Sequence, residues 1–268
     1  GGNLIATTDA NSGVINLGTL AVDGTVQLTT NGSGNATVVN DAGLNFHAST
    51  VGGNLVATAT TGNISDNSSH ANAVAGTSSF TTSQNNADIY LDNANAFTGA
   101  VSLNTTGSTG NALVDNGTTA LNIAASSVGG RLTLTSGNSI TDSGTVTVGY
   151  GGLVATTDAN NGVINMGTLA VDGTVALTTN GSGNATVVND AGLNFAASTV
   201  GGNLAATATT GNMTDSGALT IAGTSSFTTS ANNATIALNT TTNAFTGAVT
   251  ITTNDDSGTD ADVTIDGG

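Results

Sequence analysis

Two sets of side chains in this 268-residue chain could do chemistry: the imidazoles His47 and His70, and the carboxylates Asp255, Asp256, Asp260 and Asp262. An imidazole can move a proton near neutral pH or ligate a transition metal. Clustered carboxylates offer hard oxygen ligands to calcium. His47 sits in LNFHAS, and the sister stretches LNIAAS and LNFAAS carry Ala124 and Ala196 at that place; His70 falls in an insertion that the second half of the chain lacks. A catalytic group is not expected where sister stretches carry Ala, and no nucleophile–base pair can be assembled around either imidazole. The four aspartates lie in NDDSGTDAD, which lacks the spacing of an EF-hand loop, and no GGxGxD nonapeptide occurs anywhere. Calcium is therefore a weak candidate beside a solvated acidic turn. The expectation is a non-enzymatic chain with no cofactor.

Composition narrows the partners. All 17 acids are Asp, Arg131 is the single cation, the formal net charge is −16, and Glu, Lys, Cys, Pro and Trp are absent. One Arg cannot build a patch for a phosphate backbone or an anionic lipid surface, which excludes nucleic acid as a partner. No run approaches the ~18 apolar residues of a membrane span, and no basic segment marks a signal peptide. A hydrophobic content of 37% in alternating β-branched and Leu-rich runs opposes disorder.

The elements that must position these residues are short strands in a repeat. Gly18–Phe46 matches Gly167–Phe195 at 28 of 29 positions, an offset of 149 residues, and an offset of 77 relates Leu44–Gly53 to Leu121–Gly130. The finest period, read from Leu20, Leu44, Val74, Phe97, Leu121, Val146, Leu169, Leu193, Leu219 and Phe245, runs from 23 to 30 residues. Within it, period-two alternation points Val26, Leu28, Val101, Leu103, Leu132, Leu134, Val175 and Leu177 inward, with Gln27, Ser102, Thr133 and Ala176 outward. Gly pairs mark sharp corners, and the missing Pro leaves every amide free to donate to a ladder. The reading is an all-β parallel β-solenoid of about eleven coils of roughly 25 residues, three short strands per coil, near 50 Å long. It forms one continuous repeat domain over 1–268, with super-repeats 1–149 and 150–268. Longer strands without a fixed register would have argued for a sandwich array instead.

Two polar columns accompany the register. Asn35, Asn63, Asn86, Asn111, Asn138, Asn184, Asn212 and Asn233 each precede a third strand, with Asp260 taking the place in the last coil. Asn tolerates left-handed turns and its amide can bond the Asn above and below, so an internal structural Asn ladder is expected. Thr7, Thr29, Thr58, Thr81, Thr135, Thr156, Thr178, Thr207, Thr228 and Thr252 form an outward column interrupted by Asn104. Its companion column is mixed, which leaves no two-column lattice of the kind an ice-binding face needs.

The runs VGGNLVATATTGNISD, AGTSSFTT, NAFTGAVSL and LNFAASTVGG resemble the repeat arrays of large secreted bacterial exoproteins of the filamentous haemagglutinin type. The resemblance implies a right-handed β-helix forming the shaft of an extracellular or cell-surface adhesin, with host or matrix glycans among possible partners. Neither end carries a helix, a charged plug or a Pro, so further copies of the repeat are expected to continue the stack. They would lie in the same chain as a shaft or, as the alternative, head to tail in a self-assembling fibre or biofilm-matrix filament.

Overall fold

The computed structural model describes residues 1–9, 11–66, 69–254, 256 and 261–268. Those residues form a parallel β-solenoid with no helix. Its strands lie in two long sheets, and every strand pair in the ladders is parallel. Sheet I begins at Leu4–Thr7 and ends at Val263–Ile265; sheet II begins at Ile15–Leu20 and ends at Val249–Asn254. The chain alternates between them, so one strand segment from each sheet makes one turn. Val26, Leu28, Val101, Leu103, Leu132, Leu134, Val175 and Leu177 are all fully buried. Gln27, Ser102, Thr133 and Ala176 are half-buried on the outside. Alternation at period two thus lays one apolar face of each sheet against the other.

Sheet II stacks twelve layers among the described residues, and the turns are shorter than the sequence period. Following sheet I from Leu44, the partners are Ile64, Ile89, Ala112, Leu132, Leu153 and Val175, and Val175 pairs with Phe195. The 149-residue offset therefore spans seven turns, about 21 residues each, and not the six longer steps that lead from Leu20 to Leu169 in the sequence period. Leu44–Phe46 lies in sheet I, and Leu121–Ile123, its relative 77 residues on, lies in sheet II. The 77-residue offset is three and a half turns. Similar sequences therefore serve on opposite sheets, which the two alternating faces permit because each offers the same pleated, half-buried surface.

Three strands per turn appear where one sheet segment is broken in two. Leu44–Phe46 and Thr50–Val51 share a sheet I layer, followed by Leu55–Ala59 in sheet II. Eight of the twelve turns among the described residues are of this three-stranded kind, and the other four have two. All six Phe residues fall in two triads that bridge the sheets. Phe80 of sheet II meets Phe46 and Phe97 of sheet I at ring-centroid distances of 6.2 and 5.5 Å, and Phe227 meets Phe195 and Phe245 at 6.4 and 5.8 Å. The corners need glycine for space: a Cβ on Gly52 would fall on the carbonyl oxygen of Gly32 below it, as one on Gly201 would on that of Gly181.

Candidate functional site

The asparagines expected in one internal ladder occupy exposed or half-buried corners of both sheets. Asn35, Asn138 and Asn184 enter sheet II, and Asn63, Asn86, Asn111, Asn212 and Asn233 enter sheet I. Their amides cap main-chain donors of the next layer in place of bonding one another. Asn35 Oδ1 accepts from Asn54 N at 2.8 Å, Asn63 from Asp88 N at 2.9 Å, Asn86 from Thr109 N at 3.1 Å and Asn111 from Arg131 N at 2.8 Å. Asn184 accepts from Asn203 N at 2.7 Å and Asn212 from Thr235 N at 2.9 Å, while Asn138 caps its own neighbour Ser139. Asn86 and Asn233 adopt left-handed φ of 62° and 60°. The corner amide N–H points along the rod axis, where a side-chain oxygen one layer away is the nearest acceptor, so the oxygens are spent on the backbone.

The internal polar column is made by other residues. Where sheet I breaks, Leu28 N donates to Ser49 Oγ (3.0 Å), Ser49 N to Asn72 Oδ1 (3.0 Å), and Asn72 N to Asn95 Oδ1 (2.7 Å). Ser49, Asn72 and Asn95 are buried. Asn95 Nδ2 passes the column to the carboxylate of Asp66, which also accepts from the main-chain N–H of Asp92 at 3.1 Å. Asp215 repeats this arrangement with Asn239 N and Asn243 Nδ2, and Asp142 caps Gly167 N and Thr168 N. These carboxylates close sequences of one kind, NISD, SITD and NMTD, a signal that sequence reasoning passed over. Burial drives the Asp66 carboxyl above its ordinary value against the pull of those hydrogen bonds.

The Thr column divides between the sheets. Thr7 pairs with Thr29, and Thr135 with Thr156 and then Thr178, in sheet I; Thr58–Thr81–Asn104 and Thr207–Thr228–Thr252 lie in sheet II. Of the acidic run, Asp256 and Asp262 are exposed, and Asp255 and Asp260 lie outside the described residues. No group of three or more metal-ligating side chains occurs among the described residues.

The structure brings the two imidazoles together. The rings of His47 and His70 stack with centroids 3.9 Å apart and planes 31° from parallel. His47 follows Phe46 out of the broken strand, its main-chain N–H bonded to Val26 O. Gln27 lies beside it, donating from Nε2 to Ala48 O at 3.3 Å. A recess of about 90 Å³ lined by Asn3, Ile5, Thr25, Gln27 and His47 lies beside the first of the two rings. Sequence reasoning separated these histidines because one lies in the repeat and the other in an insertion. Two larger grooves also recur: one of about 430 Å³ runs past Asp23, Asn45 and Asn63, and one of about 330 Å³ past Asp172, Asn194 and Asn212.

The family described as repeats of unknown function (DUF5649) matches residues 33–104, 109–154 and 182–252. No curated protein and no solved structure matches the chain.

Proposed function

The chain belongs to the family of repeats of unknown function (DUF5649), as a structural β-solenoid repeat protein, and from that premise we propose that it is a non-enzymatic shaft segment of a large secreted surface adhesin or exoprotein of the filamentous haemagglutinin type. One observation carries the reading: the parallel ladders run through twelve layers with only short turns between described strands. A rod of near-constant section, roughly 55 Å long for twelve layers, suits a spacer whose job is reach. Broken strands, Phe triads and grooves recur at the super-repeat, which suits an array grown by duplication.

The proposed setting is extracellular, with further copies of the repeat as partners. A net charge of −16 with one cation keeps the rod sides from associating with one another. The test is denaturing electrophoresis of cell-surface and medium fractions, probed with an antibody raised against residues 1–268. A band many times heavier than 25.6 kDa is the expected result. A band at the segment's own mass, together with filaments in the medium, would replace the shaft with a self-assembling fibre subunit. Polysaccharide cleavage by the purified segment, abolished by a single Asp→Asn change, would overturn the non-enzymatic reading.

A further inference from the structure

We propose that His47 and His70 form a binding site for one divalent transition-metal ion, of the zinc, nickel or copper class. The proposal stands apart from the shaft reading and survives its failure.

The chain has only two histidines in 268 residues, and both lie in one contact. Each imidazole carries two nitrogens, so one can face a metal while the other keeps a hydrogen bond of its own, as metal-bound histidines usually do. The ring centroids are only 3.9 Å apart, so rotation of both side chains about χ1 and χ2, the latter a torsion with a broad minimum in imidazoles, can unstack the rings and turn one nitrogen from each toward a shared ion. Imidazole nitrogen selects borderline ions over the hard calcium and magnesium, which take oxygen. A recess of about 90 Å³ beside His47 lets water reach this imidazole. The side-chain amide of Gln27 lines it. A surface this acidic also concentrates cations.

The near-identical second copy separates a site from incidental packing. Gln27 is the single difference over Gly18–Phe46, and the residue after that stretch, His47, is the next; their counterparts are Ala176 and Ala196. The insertion carrying His70 is missing there as well. The three features are thus present together in one copy and absent together in the other, while the backbone beside Gln27 and His47 keeps its register, Val26 facing Phe46 as Val175 faces Phe195. The replacement by Ala that argues against catalysis is what is expected when one super-repeat carries a binding site and the other does not.

The experiment is isothermal titration of the metal-free protein with Zn²⁺ or Ni²⁺, alone and against excess Ca²⁺. His47→Ala and His70→Ala are the variants. His47→Ala reproduces the residue at 196, where the fold is retained, and the melting temperature of each metal-free variant checks this directly. The expected result is one ion per chain, unaffected by Ca²⁺, with binding weakened more than about tenfold in each variant; loss of mere outer-shell partners already costs that much. Absence of binding to the wild type, displacement by Ca²⁺, or unchanged affinity in either variant would overturn the proposal.

Discussion

Asn95 Nδ2 donates a 2.8 Å hydrogen bond to Asp66 Oδ2 in the preceding layer, and so joins a buried amide column to a carboxylate that is only 7% exposed. Burial and the neighbouring Asp92 raise the Asp66 pKa above 3.8, burial the more, while bonds from Asn95, Asn93 N and Asp92 N only partly offset them. The sign follows from linkage. The folded state holds this proton more tightly than the unfolded one, so the stabilising contribution is complete below pH 3.8 and is lost as pH rises through the folded value. Asp66→Asn carries no charge and costs a hydrogen-bond acceptor at every pH. Its melting temperature should therefore fall less than the wild type's between about pH 4 and about pH 7. Parallel curves for the two proteins would rule the account out.

Phe80 touches Phe46 and Phe97 from the opposite sheet, and the three rings are at most 1% exposed. Phe80→Ala removes both contacts and leaves a void, at about 3–5 kcal/mol. A solenoid layer contacts only its neighbours, so the loss should stay local. Amide hydrogen exchange is expected to accelerate in strands from Leu44–Phe46 to Val101–Thr106 and to stay unchanged around Phe195, Phe227 and Phe245. A uniform acceleration along the rod would show instead that the twelve layers open as one unit.

Glycine at the corners is a matter of space as much as of φ. Gly201→Ala drives a methyl group into the carbonyl oxygen of Gly181, and a cost of about 1–3 kcal/mol is expected, as for other overpacked sites. Gly167 has no atom within 4 Å of its would-be Cβ, so Gly167→Ala should change stability by no more than about 0.5 kcal/mol. Urea denaturation of the two variants checks the contrast, and equal effects would show that backbone entropy outweighs the close approach.

What was readable in the sequence was the local pattern. Val26, Leu28, Val175 and Leu177 announce their inward direction because a strand has period two and each neighbour is polar or small. The closure of the coil was not readable. LNF at Leu44 and LNI at Leu121 look alike but sit on opposite sheets, so a period counted by resemblance runs longer than a turn. Asn recurs everywhere, and nothing local distinguishes the corner residue Asn63 from the buried Asn95; which side of the backbone each takes depends on where a strand breaks. The His47–His70 contact was hidden for a related reason. Alignment treats the insertion as outside the repeat, whereas in space its His70 stacks on His47.

Ser78 and Ser225 occupy inward positions at the start of long sheet II strands, 2% and 1% exposed, and neither Oγ has a hydrogen-bond partner. Ser78 stacks between Leu55 and Val101, and Ser225 between Leu204 and Val249. A hydroxyl taken from water into such a stack without a partner costs about 1–3 kcal/mol. Alanine in its place removes a single heavy atom and leaves only a small gap. Ser78→Ala and Ser225→Ala are therefore expected to stabilise the rod by about 1 kcal/mol each, against the common direction of core truncations. The sites are seven layers apart, roughly 34 Å along the axis, so the double variant should show nearly the sum of the two effects. Thermal and urea unfolding of the three variants measures this. A lower midpoint for either single variant would mean that the hydroxyl is satisfied in solution and that these serines help to hold the strand.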